Sequence, residues 1–203
     1  MFFSFDGIDG VGKSTQVRLF EESLRSRGLD VVLCRDPGST PLGERIREVL
    51  LTSDAGTPIG RRSEMLLYMA ARAQLVEQVV RPALNAGSVV IADRYLLANV
   101  VYQGHAGGLD PVDIWEVGRI ATQGLLPDCV FLLDMAPESA GRRMDRPLDR
   151  MEDQGDDYRQ LLRAGFLLEA KASNRIHIIA ADRSIADVQA QIWQIAANLL
   201  GQS

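Results

Sequence analysis

Phe2-Phe3-Ser4-Phe5-Asp6-Gly7-Ile8-Asp9-Gly10-Val11-Gly12-Lys13-Ser14-Thr15 is the stretch on which the fold turns. Its first five residues read as a strand. From Lys13 onward Val17, Phe20 and Leu24 fall on one helical face, so a helix is predicted over 13–27, with Gly28 as its C-cap. Between them, Gly7 to Ser14 fits G-x-x-x-x-G-K-[ST] at the strand-to-helix junction where that pattern has physical meaning. Glycines let the backbone wrap closely round an anion and aim its N–H groups inward. The helix N-terminus adds partial positive charge. The spacing predicts Lys13 on the terminal phosphates of ATP or GTP and the Ser14 hydroxyl on Mg²⁺. It does not fix the reaction.

Outward from this junction, apolar runs alternate with amphipathic ones to the end of the chain. Strands are predicted at 31–34, 88–92, 128–133 and 176–180. Helices are predicted at 43–51, 61–85, 111–123, 138–144, 156–173 and 184–200, with Pro82 expected to kink or shorten the second of these. The fully apolar strands suit a parallel sheet covered on both faces. In such sheets ligands bind at the carboxyl ends of the strands. No repeat or linker divides the 203 residues, so one domain over 1–203 is expected.

Composition removes several classes. At 46% hydrophobic and 24% charged, the chain is an ordinary globular one rather than disordered or fibrous. No apolar run approaches a membrane span, and Met1 to Phe5 lacks the basic segment of a signal peptide, so a cytoplasmic location is expected. The net charge of −5 argues against a nucleic-acid groove but not against small anions, which need only local positive charge. Cys34 and Cys129 lie in apolar runs and read as buried thiols, not as a disulfide or zinc site. His105 and His177 have no partners in sequence that suggest chemistry. Lys13 is conspicuous, because 20 of the 22 basic residues are arginine and Lys171 is the other lysine.

Two further groups carry charge at telling places. Asp93-Arg94 ends an apolar strand, and is either a strand-ending ion pair or a carboxylate of the Mg²⁺ shell with a phosphate clamp. Arg142, Arg143, Arg146 and Arg150 crowd a segment interrupted by Pro147. They read either as a solvated face, with Asp145, Asp149 and Glu152 interleaved, or as a lid of about 142–152 closing over a phosphoryl group. A GTPase switch would carry an Asn-Lys-x-Asp segment, which this chain lacks. A short chain of this kind points to a small-molecule kinase.

The whole set resembles the thymidylate kinase (dTMP kinase) family across nearly the whole chain. Phe5 to Thr15 resembles the family's opening, and Arg35-Asp36-Pro37-Gly38-Ser39-Thr40 its Arg-Glu-Pro-Gly-Gly-Thr segment. Leu67-Tyr68-Met69-Ala70-Ala71-Arg72-Ala73-Gln74 resembles the substrate helix, followed by Asp93-Arg94-Tyr95 and Val101-Tyr102-Gln103-Gly104. The resemblance implies an α/β fold of the P-loop nucleoside monophosphate kinase type, with a five-stranded parallel sheet flanked by helices. It implies Mg²⁺-dependent transfer from ATP to dTMP, giving dTDP on the way to dTTP, by a homodimer that uses neither nucleic acid nor membrane.

The resemblance also distributes roles. Gly7, Ile8, Asp9, Gly10, Val11, Gly12, Lys13, Ser14 and Thr15 would hold ATP. Ser14 and, through water, Asp93 would serve the metal. Tyr68 would stack on thymine, while Arg72 and Gln103 would hydrogen-bond it. Arg47 and Arg94 would contact the monophosphate, Tyr102 would screen against a ribose 2′-hydroxyl, and Asp9, Asp36 and Asn99 would line the sugar pocket. With no basic residue at loop positions 8–11, the chain resembles the bacterial type with a basic lid, and Arg143 and Arg150 are the candidate catalytic arginines beside Lys13, Asp93 and Arg94. Asp6, Ser39, Leu97 and Gly107 depart from the family pattern, which touches the sugar side more than the phosphate side. Another P-loop nucleotide or nucleoside kinase, and a non-catalytic nucleotide-binding module, are the alternatives.

Overall fold

The computed structural model describes residues 1–52, 58–144 and 155–201. Five parallel strands, β1 (Phe2–Asp6), β2 (Val31–Arg35), β3 (Val89–Asp93), β4 (Cys129–Asp134) and β5 (Ile176–Ala180), form one sheet in the order β2-β3-β1-β4-β5. β1 sits at the centre, with Phe5 opposite Asp93 of β3 on one side and Phe131 of β4 on the other. The chemistry-bearing carboxyl ends of β1 and β3 are therefore neighbours. The helices are α1 (Lys13–Arg25), α2 (Pro41–Leu51), α3 (Arg61–Leu75), α4 (Arg81–Asn85), α5 (Leu96–Asn99), α6 (Pro111–Thr122), α7 (Pro137–Gly141), α8 (Asp156–Ala172) and α9 (Ile185–Leu200).

Alternation along β1 builds the two cores. Phe3 and Phe5 point to one face and meet Phe20 of α1 and Phe131 of β4, with ring centroids 5.1–5.7 Å apart. All four rings are fully buried, each contributing roughly 1.5–3 kcal/mol of apolar burial. Phe2 points the other way, edge-on to Tyr95 at 5.1 Å, in a core with Val90, Ala92, Leu75 and Val80. Cys34 and Cys129 are buried and unpaired, and burial pushes both thiols up to about 12.

Two π-helical turns depart from the predicted pattern. Helix 61–85 is interrupted at Val76–Val80, where the Arg81 N–H reaches the Val76 carbonyl five residues back. This widened turn precedes Pro82, which has no N–H to give, and α4 then continues to Asn85. The second π-helical turn, Val100–His105, continues α5, and its Ala106 N–H donates to the Val101 carbonyl at 2.9 Å. Nothing helical is expected there from periodicity, because residues 96–104 are buried on every side and show no polar stripe.

Candidate active site

The phosphate loop leaves β1 with Gly7, Gly10 and Gly12 at φ of 135°, 85° and 96°. A Cβ at Gly7 would lie 2.4 Å from the Leu133 carbonyl oxygen, and one at Gly10 2.2 Å from that of Ala140. The loop thus takes a shape and a proximity that only glycine permits. Helix α1 has neither a side-chain cap nor an acidic residue in its first turn. Helices α2, α6 and α9 have both, capped by Thr40, Asp110 and Ser184. The N–H groups and positive dipole end of α1 are left to an anion.

Lys13 folds back over this loop, donating from Nζ to the carbonyls of Gly7 at 2.9 Å and Ile8 at 2.8 Å, with Asp9 Oδ1 3.5 Å away. Burial and the nearby Arg94 charge hold its ammonium below the usual lysine value. Arg94 follows β3 in a left-handed conformation, φ 67°. Its Nη2 donates to Asp9 Oδ1 at 2.5 Å and its Nη1 to the Gly7 carbonyl at 3.2 Å. The Tyr102 hydroxyl donates to Asp9 Oδ2 at 3.0 Å. Burial alone would raise the Asp9 carboxyl, but Arg94, Lys13 and the Tyr102 hydroxyl outweigh it and hold it well below the carboxylate range.

Beneath the loop, Asp6 is fully buried. Its Oδ2 accepts a 3.3 Å bond from Ser4 Oγ, and its Oδ1 has no partner among the described residues. Burial pushes this carboxyl up to about 7 against the pull of Arg94 and Lys13.

A second polar group lies beyond Arg94. Arg72 of α3, 1% exposed, donates from Nε to Asp36 Oδ2 at 2.5 Å and from Nη1 to Asn99 Oδ1 at 3.0 Å. Asn99 Nδ2 donates to Gln103 Oε1 at 2.5 Å, and Gln103 Nε2 to Glu64 Oε1 at 2.9 Å. Asp36 Oδ1 is buried without a partner among the described residues. Arg47 of α2 donates to the Pro37 carbonyl at 3.0 Å.

One cavity of about 930 Å³ joins these groups. Asp9 to Thr15, Asp36, Arg47, Tyr68, Arg72, Asp93, Arg94, Asn99, Tyr102, Gln103 and Arg143 all border it. Gly7 and Ile8 do not line it but supply the carbonyls that anchor Lys13 and Arg94. Arg150 and most of the segment 142–152 lie outside the described residues. Arg143 Nη1 donates to the Ala181 carbonyl at 3.2 Å. Sequence reading missed the wall made by Ala181, Arg183, Ile185 and Val188. The signal was present, since these residues follow the carboxyl end of β5, where such sheets bind ligands.

The donor set suits magnesium. No group of three or more His, Cys, Asp or Glu that could cage a metal exists among the described residues. Mg²⁺ is usually held by one or two protein oxygens together with substrate phosphates and water. Ser14 and Asp93 both border the cavity and supply such oxygens.

Comparison with known proteins places this geometry. The family model for thymidylate kinase matches residues 5–192. A thymidylate kinase of Rhodopirellula baltica is 45% identical over 193 residues, covering 95% of this chain and 78% of the relative. One of Bifidobacterium longum is 45% identical over 195 residues, 95% of each chain. One of Symbiobacterium thermophilum is 42% identical over 202 residues, 98% of this chain and 94% of its own. With the match running from β1 into α9, through every segment that borders the cavity, the chain belongs to the thymidylate kinase family.

Proposed function

We propose that the protein transfers the γ-phosphoryl group of ATP to dTMP, releasing ADP and dTDP, with Mg²⁺ as cofactor. The observation that carries this reading is a single cavity with a phosphate loop at one part and the Arg72–Asn99–Gln103 chain at another, with the Asp9–Arg94 pair also on its wall. An oxygen of the dTMP phosphate attacks the γ-phosphorus while the bond to the β-γ bridging oxygen breaks. That oxygen is already anionic near neutral pH, so no strong base is required. Catalysis then rests on placement and charge neutralisation in a loose transition state.

The loop amides and Lys13 hold the ATP phosphates. Arg94 turns from Asp9 to the phosphate passing between donor and acceptor. Tyr68 stacks on the base, Arg72 and Gln103 read its edge, Arg47 steadies the monophosphate, and Asp9, Asp36, Asn99 and Tyr102 enclose the sugar. Ser14 and, through water, Asp93 would hold Mg²⁺, which would supply charge neutralisation on the phosphates. Arg143 and Arg150 belong to a lid of about 142–152 on a single kinase domain. Ala181, Arg183, Ile185 and Val188 offer a surface for the ATP base.

Exposed Val49, Leu66 and Ile120 on the adjoining helices α2, α3 and α6 support a homodimer. No described helix is long and apolar enough to cross a membrane.

The test is ADP release with dTMP, dUMP, dCMP, AMP and thymidine offered in parallel. Release driven by dTMP above the others is expected. Preference for another acceptor would move the protein to a different nucleotide kinase. Tight ATP binding with no acceptor-driven release would make it a binding module. Sedimentation at micromolar concentration tests the dimer.

A further inference from the structure

The base-reading chain ends at a residue outside the cavity. Glu64 lies in the first turn of α3, 8% exposed, and is not part of the cavity wall. Its Oε1 accepts the 2.9 Å bond from Gln103 Nε2. From there the hydrogen bonds run Gln103 to Asn99 to Arg72, all three at most 2% exposed.

The two ends of this chain differ in kind. A guanidinium has only donors, and an ionised carboxylate has only acceptors. Arg72 therefore forces the carbonyl of Asn99 to face it, which turns the Asn99 amide nitrogen toward Gln103. Gln103 must answer with its carbonyl, and its own nitrogen is left to Glu64. Each carboxamide could rotate by half a turn at almost no steric cost, but with both ends fixed neither rotation keeps every bond. An amide turned the wrong way would leave buried groups unpaired, which is costly.

We infer that Glu64 is a specificity-determining positioning residue: it sets the direction of the Gln103 carboxamide, and so which of donor and acceptor the cavity offers to a pyrimidine edge. The inference rests on the reading of Arg72 and Gln103 as base contacts. Thymine presents a carbonyl at C4 and an N–H at N3. Cytosine presents an amine at C4 and a bare ring nitrogen at N3. These patterns are opposite, so a wall of fixed polarity accepts one and leaves buried groups unpaired against the other. A wall free to turn over discriminates less.

Glu64→Gln tests this, because it keeps shape but offers a donor as well as acceptors. Steady-state kinetics with dTMP and dCMP would be measured on wild type and variant, alongside the unfolding midpoint of each. The expected result is at least a tenfold drop in the ratio of kcat/KM for dTMP over dCMP, with KM for dTMP rising more than kcat falls and KM for ATP unchanged. A ratio equal to wild type overturns the inference, including where the variant merely loses stability. If wild type ignores dTMP, the reading of the site fails instead.

A second measurement needs no variant. In the wild-type protein, nitrogen-15 NMR should show the Gln103 side-chain amide protons protected from solvent exchange and in nuclear Overhauser contact with the Glu64 side-chain methylene hydrogens, as the Nε2–Oε1 bond requires. Gln103 side-chain protons that lack that contact and exchange as fast as those of an exposed glutamine would overturn the assignment even if Glu64→Gln does not fold.

Discussion

Arg94 is tied back to the phosphate loop by Asp9, Nη2 to Oδ1 at 2.5 Å, across 85 residues of chain. The pair links the end of β3 to the turn after β1, two strands that are sheet neighbours. Burial works against the Arg94 charge, but Asp9 and the surrounding acidic groups hold its guanidinium fully protonated. The pairing keeps a desolvated cation beside the phosphate loop, so that it has only to turn from Asp9 to meet a transferring phosphoryl group, and little further reorganisation remains at the moment of reaction.

Replacement of Arg94 should separate that role from the backbone it occupies. Arg94→Ala is expected to lower kcat by about 10²–10³-fold, the usual loss for one preorganised donor. Arg94→Lys should recover only part, because an ammonium lacks the planar fork. Arg94→Gly should be as inactive as the alanine variant yet more stable by about 1 kcal/mol, since φ is 67° there. Turnover and urea unfolding on the three proteins check this. Near-normal turnover of Arg94→Ala would remove Arg94 from the chemistry.

Lys13→Ala should leave the fold and the dTMP affinity in place while turnover falls by about 10²-fold or more. Its ammonium is bonded to the Gly7 and Ile8 carbonyls, so loop geometry has some dependence on it. Circular dichroism with calorimetric dTMP titration separates the two effects. Loss of dTMP binding together with turnover would mean that the lysine shapes the pocket instead of serving the transfer.

Asp6 gives a pH signature in stability. Its carboxyl ionises near 3.8 in an unfolded chain and at about 7 in the folded one, chiefly because burial opposes charge. Between those values the folded protein keeps a proton that the unfolded chain has lost. Stability from this group is complete below pH 4, falls as pH rises toward 7, and is lost above it. Against Asp6→Asn, wild type should lose ground by up to about 1.4 kcal/mol per pH unit inside that window and stay parallel outside it. Denaturant unfolding from pH 4 to 8 on both proteins measures the difference. A flat difference would show that Asp6 titrates normally.

Chelation should abolish turnover without unfolding the protein. With no metal cage among the described residues, the cation's hold depends on substrate phosphates. EDTA is expected to stop ADP release, added Mg²⁺ to restore it, and the unfolding midpoint of the ligand-free protein to stay put. A midpoint that falls with EDTA would point to a structural metal.

Much of this architecture is readable from residue order. The strands beginning at Phe2 and Ile176 fall where expected, and the other three shift by a residue at most, because short, largely apolar runs between polar turns leave few options. The phosphate loop is legible because its glycines and lysine are contiguous. The helical stretch from Leu96 to His105 is not legible, since a segment buried all round has no amphipathic period to read. Glu64 is harder still. Its significance depends on Gln103, 39 residues away, and no local spacing announces that bond.

The loosened coil at Val100–His105 has a consequence of its own. Tyr102 and Gln103 ride on it, so their bearing toward the guest depends on how many residues the segment holds as well as on what those residues are. Excision of Val100 or Val101 would take away the extra residue that the wide turn holds and, by tightening the coil to ordinary pitch, re-aim the side chains within it. Gain or loss of one residue here thus changes what Tyr102 and Gln103 face while both side chains are kept.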